Sequence, residues 1–329
     1  VPGKVRVVDL YNEVKLSILV RGHENVVDFR GIFYMDAMEC KHIADILCPV
    51  MACNIASYHS EMALVFSGIE GSSLQAWVQS ERGISEACAL HALKGIGEAL
   101  VYIHSLKVVH SNVNPESIFI KRDGNSVLAD FAYAVHMGED TQVRPGPLAL
   151  GSPPPPLFSA PEQVDDVPRY GLPADIFALG GCLYFSLSNL QPFRGKCRED
   201  VISHILRRSP DVSRPEFKDV SAKTHDFIRM LMYRDPAARP TAEEACEVLR
   251  NPEHSFFSDA VSELMDVHQP PITGLRSLLH RLGRSFRKNA AAFRGLRGLS
   301  KAGRKRRTVV PFDDLAAMVP DAKPPMIAK

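Results

Sequence analysis

Eight consecutive residues, His110-Ser111-Asn112-Val113-Asn114-Pro115-Glu116-Ser117, bring together an imidazole, two hydroxyls, two amides and a carboxylate. After an apolar stretch, Asp130-Phe131-Ala132 adds a second carboxylate. The amide carbonyls of Asn112 and Asn114 can accept hydrogen bonds, but an amide is not basic near neutral pH. Neither can therefore draw a proton from a hydroxyl. Ser117 offers a hydroxyl, a shorter and weaker oxygen ligand for a hard cation than a longer amide would be. Asp130 has two readings: its carboxylate holds a divalent cation, or it caps the turn that follows.

These residues need elements to hold them. The apolar run Ile118-Phe119-Ile120 reads as a strand leaving the polar loop. Upstream, Ile84 to Ser105 has helical spacing through Leu90, Leu93, Ile96 and Leu100, with Ser85 and Glu86 at its start. Met62 to Phe66 is strand-like by composition. Residues 5–10 are expected to form a short strand and 11–21 a helix with Leu16, Leu19 and Val20 on one side. Gly22-His23-Glu24-Asn25 stops that helix, and Val26 to Phe33 returns to strand composition. Residues 40–58 have no clear period.

At 329 residues and 45% apolar, the chain can bury one large core or two lobes. No apolar run approaches the roughly 18–20 residues that cross a bilayer, so a soluble globular protein is expected. The seven cysteines (Cys40, Cys48, Cys53, Cys88, Cys182, Cys197, Cys246) are odd in number and none has C-x-x-C spacing. Buried free thiols are expected, not zinc or a disulfide framework. The first residue is Val and no leader is visible, so the sequence is expected to begin inside a longer protein. The net charge of +1 hides an asymmetry. Between Val267 and Phe312 lie twelve Lys or Arg and no acid, which leaves 27 basic against 38 acidic residues elsewhere, about −11.

Further along, Ser159-Ala160-Pro161-Glu162, Ala174-Asp175-Ile176-Phe177-Ala178-Leu179-Gly180 and Arg234-Asp235-Pro236-Ala237-Ala238-Arg239-Pro240-Thr241 punctuate the second half. In order, these resemble the A-P-E, D-x-W-x-x-G and R-D-P-x-x-R-P-[ST] motifs of protein kinases. The loop at His110 resembles their H-R-D-L-K-P-E-N segment and Asp130-Phe131-Ala132 their D-F-G. Ser67 to Leu74 resembles the hinge E-Y-x-E-G-G-S-L. The resemblance covers roughly residues 5–258. It implies an α+β, two-lobed protein-kinase-like fold: a partial small lobe over 1–66, a hinge at 67–73, a mostly helical large lobe over 74–258, and a basic, partly disordered tail over 259–329. The small lobe is incomplete here, because the strands of the Gly-rich phosphate loop would lie upstream of Val1.

The resemblance also implies roles. Asn112 holds the position of the Asp that accepts the substrate hydroxyl's proton, and general-base catalysis is worth about 10²–10⁴-fold. Asn114 replaces the phosphate-contacting Lys, and Ser117 replaces the Asn that binds a second magnesium. Ser111 replaces the Arg that holds a phosphorylated activation segment. Asp130 keeps a magnesium ligand, while Ala132 replaces a Gly and restricts positive φ. Glu13 falls where a helix carries the ion-pair partner of a phosphate-gripping Lys, or else it is a solvated helix residue. Lys4 and Arg6 stand too close to Glu13 in sequence to be that Lys. Phe66 guards the back of the nucleotide pocket. Glu162 and Arg239 form an ion pair, Asp175 accepts backbone hydrogen bonds from the loop, and His110 packs between the lobes.

A pseudokinase is implied: a regulatory module that binds another protein, for example an active kinase, with ATP and magnesium bound weakly or absent. The alternative is an unconventional Ser/Thr kinase. The loop is loosely similar to those of secreted kinase-like proteins of apicomplexan parasites, so a secreted setting is one option for an otherwise unknown compartment. The insert Gly151 to Leu157, with four prolines, is expected to be extended, either as a rigid surface loop or as a proline-rich ligand. In the tail, Leu275, Leu278, Leu279, Leu282, Phe286, Ala290 and Phe293 recur at helical spacing among arginines. Residues 275–307 suit an anionic membrane surface or acidic partner. A disordered tail, folding back on the acidic domain, and an import signal at Lys305 to Arg307 are the other readings. Nucleic acid is not an expected partner.

Overall fold

Helix α1 runs from Val7 to Leu19, 13 residues, and buries Val14, Leu16 and Ile18 together with Val20 just beyond its end. The structure, a computed structural model, describes residues 7–35, 61–143, 156–165, 168–250 and 309–310. The strand expected over residues 5–10 is not formed: Val7 to Leu10 continue the helix. Four β-branched and apolar residues give no secure period by themselves. Once residues 11–19 are helical, each further turn adds hydrogen bonds without a new nucleus.

Antiparallel strands β1 (Phe29–Met35) and β2 (Glu61–Phe66) pair from Phe29↔Phe66 to Met35↔Glu61, with a bulge between Phe29 and Gly31. A second sheet joins β3 (Gly71–Ser73), β5 (Ile118–Lys121) and β6 (Ser126–Leu128), and a small ladder pairs β4 (Val108–Val109) with β7 (Val135–His136). The hinge stretch thus includes β3, whose Ser72 faces Ile120 across the ladder. The turn after α1 is stitched to the second sheet. Asn25 Nδ2 donates to the Ser126 carbonyl at 2.8 Å, and the His23 ring stacks on Tyr102 at 4.9 Å.

The remaining elements are helical: α2 (Leu74–Glu81), α3 (Glu86–Ser105), α4 (Pro173–Ser188), α5 (Arg198–Arg207), α6 (Ala222–Leu231) and α7 (Ala242–Arg250). Ser73, Ser85 and Ser221 cap α2, α3 and α6 through their hydroxyls, each worth about 1 kcal/mol. Helix α4 is buried from Ala174 to Ser188, as an element apolar on every face must be. Small residues let its neighbours approach. A Cβ on Gly180 would lie 2.6 Å from Met232 Cγ, and one on Gly97 would lie 3.1 Å from Leu249 Cδ1. One apolar core runs from Leu16 and Val20 of the α1 region through α3 and α4 to Leu249 of α7.

Two expectations meet a different outcome. Cys88, Cys182 and Cys246 are buried free thiols, but Cys197 is exposed at the start of α5. Pro156 to Phe158 form a 3-10 turn with Pro156 buried, so the proline insert ends folded rather than extended. Val309–Val310, in the stretch read as tail, form strand β8 against β1. Residues 40–58, most of the proline insert, Lys4, Arg6 and the basic stretch 275–307 lie outside the described residues.

Candidate active site

The polar loop hangs between β4 and β5, and its entry is fixed from below by one carboxylate. Asp175, in the first turn of α4, accepts from the backbone N–H groups of His110 and Ser111, each at 2.8 Å, and lies 3.0 Å from His104 Nε2. That grip holds Ser111 at φ 67°, a left-handed conformation costly for a side chain with a Cβ. Gln163 adds a second tie. Its Nε2 donates to the Ser111 carbonyl at 2.9 Å while its Oε1 accepts from Ala160 N–H at 2.9 Å. The Asp175 carboxylate and the Gln163 amide thus hold the two backbone groups of Ser111.

His110 is fully buried, 3.0 Å from the Ala129 carbonyl through Nε2 and edge-on to Phe131 at 4.8 Å. Its Nδ1 faces the Asn112 N–H at 3.4 Å. An acceptor at Nδ1 requires the proton on Nε2, so the ring is neutral. Burial pushes its pKa below the ordinary histidine range, more strongly than the nearby Asp175 and Asp130 raise it.

Asn114 and Ser117 close on each other. Asn114 Oδ1 accepts from Glu116 N–H at 2.8 Å and Ser117 N–H at 3.2 Å. Its Nδ2 donates to the Asn112 carbonyl at 2.8 Å. The Ser117 hydroxyl accepts from Asn114 N–H at 3.0 Å and donates to its carbonyl at 2.9 Å. Asn114 is thus turned back to cap the turn that begins at Pro115, and Ser117 is buried within it. The Asn112 side-chain amide makes no hydrogen bond among the described residues and is only partly buried.

Asp130 stands at φ 66° and Oδ1 accepts a long 3.4 Å bond from Ala132 N–H. Burial raises its carboxyl above the ordinary range, against the lowering effect of His110 and Ala132; the exposed Glu116 raises it slightly. Ala132 is buried and does not stand at positive φ, so its Cβ fits the conformation adopted. Glu13 is 3% exposed. The Tyr133 hydroxyl is held above its usual pKa by burial, then by the charges of Asp130 and Glu13. Phe66 ends β2 half-buried, its ring 5.6 Å from Phe29.

Arg239 is enclosed. Nη1 and Nη2 grip Glu162 at 2.6 and 2.8 Å, and the other N–H groups donate to the carbonyls of Tyr233, Pro173 and Arg234. Its guanidinium lies 5.0 Å from the Phe177 ring centre. Sequence reasoning missed His104 and Gln163. His104 lies in the last turn of α3, Gln163 directly follows Glu162, and nothing in their types or spacing announces a partner 52 to 71 residues away.

A divalent cation finds a mixed fit. Asp130 offers one carboxylate with a weakly engaged oxygen, suited to one magnesium completed by waters and phosphate oxygens. The Ser117 hydroxyl is committed to Asn114, so a second ion lacks its ligand. Among the described residues, no group of three or more His, Cys, Asp or Glu is placed to hold a metal. No helix there is long and apolar enough to cross a membrane.

Comparison with known proteins agrees with this arrangement. The family model for the protein kinase domain matches residues 4–249. Death-associated protein kinase dapk-1 of Caenorhabditis elegans is 27% identical over 74% of this chain and 15% of its own length. The calcium/calmodulin-dependent protein kinase type 1B of Rattus norvegicus is 29% identical over 58% of the chain and 54% of its own. Serine/threonine-protein kinase PEPKR2 of Arabidopsis thaliana is 26% identical over 78% and 47%. The chain spans about half or less of the length of these relatives.

Proposed function

The chain belongs to the protein kinase family, and from that premise we propose that it is a pseudokinase, a protein-binding regulator whose partner is an active kinase. The observation that carries the reading is the loop itself. An amide that cannot accept a proton stands at Asn112, while the polar atoms of the Asn114 and Ser117 side chains are engaged within the loop itself. In this family the catalytic loop Asp orients and deprotonates the hydroxyl, and phosphate-binding cations neutralise developing charge. Three of those contributions are missing together from residues 112–117. What remains suits a scaffold: Glu162 with Arg239 and Asp175 with the loop keep the large lobe's surface in a fixed shape.

The test is phosphotransfer by purified full chain with ATP and magnesium, beside Asn112→Asp. The expected result is no labelling by the parent above a mock purification. Steady labelling of a protein substrate by the parent, at a rate that Asn112→Asp leaves unchanged, would establish the alternative, an unconventional Ser/Thr kinase. Asp130 favours that alternative to one extent: a single magnesium held there against ATP phosphates would leave electrostatic stabilisation in place. Restoring Asn112→Asp alone is not expected to recover ordinary activity, because Asn114 and Ser117 are unchanged.

The basic stretch 275–307 favours a third reading, a tether to an anionic membrane surface or acidic partner. Twelve cations without an acid favour such a surface at about 1 kcal/mol per engaged residue. Co-sedimentation with vesicles containing phosphatidylserine, compared with neutral vesicles, decides it: equal binding to both removes this reading. A secreted setting, as in the parasite kinase-like proteins that the loop resembles, is proposed on that resemblance alone. Recovery of tagged full-length protein from cells but never from their medium would end it.

A further inference from the structure

We propose that Gln163 is a neutral latch, a positioning residue that locks the segment 156–165 onto the polar loop and needs no phosphate group to hold it there. The 3-10 turn Pro161–Gln163 sends two neighbouring side chains in different directions. Glu162 grips Arg239, while Gln163 reaches across to the loop. Its Oε1 accepts from Ala160 N–H and its Nε2 donates to the Ser111 carbonyl, both at 2.9 Å. The two bonds fix the orientation of the amide, because turning it over would set NH2 against an N–H and oxygen against a carbonyl. Behind the turn, Pro156 and Ala160 are buried, and the Phe158 ring meets Phe185 of α4 edge-on at 6.1 Å.

Ser111 is the other half of the latch. Asp175 Oδ1 takes its N–H and Gln163 takes its carbonyl, so a residue at φ 67° is held on both sides from outside the loop. A side chain with a Cβ persists in that conformation only where its surroundings over-determine it. Opening the segment therefore frees the Ser111 carbonyl, and opening the loop takes the acceptor from Gln163. The two open together. An amide and a carbonyl carry no net charge, so this join gains nothing from an added phosphate and is little screened by salt. The use of the latch rests on the regulator reading: a partner meets a face of constant shape, and control passes through binding rather than through phosphorylation of the segment.

Hydrogen exchange on the full chain reads the latch without reference to phosphotransfer. Parent protein shown by intact mass to be phosphate-free is expected to protect 156–165; exchange there at the rate of an unstructured peptide overturns the proposal. Gln163→Glu keeps an acceptor for Ala160 N–H and turns a carboxylate oxygen toward the Ser111 carbonyl. At pH 7.5 it is expected to speed exchange about tenfold in peptides covering 107–117 and 156–165, and to leave 86–100 in α3 unchanged. The carbonyl raises the pKa of that carboxyl, and a protonated carboxyl donates again. The deficit is therefore full above the native pKa and fades as pH falls through it, to about threefold or less against the parent at pH 4.5. Parental exchange rates at pH 7.5, or a deficit undiminished at pH 4.5, overturn the latch. Should α3 loosen as well, Gln163→Met, of similar length and without the amide, decides. Faster exchange confined to the two segments supports the latch; no change, or loosening throughout, overturns it. Phosphotransfer by the parent would remove the regulator reading and leave these rates as they are.

Discussion

Asp130 is ionisable, partly buried and held in a left-handed conformation that Asn tolerates well. Asp130→Asn keeps the oxygen that accepts from Ala132 N–H and removes the cost of burying a charge. The variant is expected to melt about 2–4 °C above the parent at pH 7, the shift of about 1 kcal/mol in a domain of this size. It also loses any magnesium-dependent rise with ATP. A lower melting temperature would mean that the ionised carboxylate contributes to the native state. The histidines set a pH dependence. His23, His91 and His110 all have pKa values lowered by burial. Below about 6.5 the unfolded chain therefore binds more protons than the native one, and stability falls as pH falls. Asp130, shifted upward, works the other way, because the native state holds its proton in the window above 3.8. The urea midpoint is expected to be lower at pH 5.5 than at pH 7, and to fall more steeply in Asp130→Asn. An equal midpoint at both pH values in Asp130→Asn, where the opposing carboxyl is gone, would show that these histidines are not buried neutral.

Gly71 shows how an element imposes a residue. In β3 a Cβ would come 1.8 Å from the Ile120 carbonyl oxygen, so only glycine lets β3 lie against β5 at the exit of the hinge. Gly71→Ala is expected to cost about 1–3 kcal/mol, as overpacking does, read as a lower urea midpoint with unchanged slope; an unchanged midpoint would mean that the hinge shifts freely. The start of α3 was legible because Ser85 and the apolar period agree. The strand expected at residues 5–10 was not, because four residues of strand composition cannot outweigh helix propagation from their neighbour. The ladder of β3 was not legible, since pairing Ser72 with Ile120 depends on a partner 48 residues away.

Across the whole molecule, one ion pair ties distant segments of the large lobe. Arg239 has its side chain fully enclosed and joins Glu162 to the carbonyls of Pro173, Tyr233 and Arg234. Glu162→Gln leaves that guanidinium without its counter-charge and is expected to cost about 3–5 kcal/mol, measured by chemical denaturation. A loss below about 1 kcal/mol would mean that the carbonyls alone satisfy Arg239. Sequence by itself determined the kinase family and the order of its motifs, because these depend on residue type and spacing along the chain. Only tertiary structure decided that Asn114 and Ser117 bond each other, that Gln163 meets the Ser111 carbonyl, and that β1 meets Val309–Val310. Each of those contacts depends on side-chain direction or on chain segments brought together by folding, and neither is written in local composition.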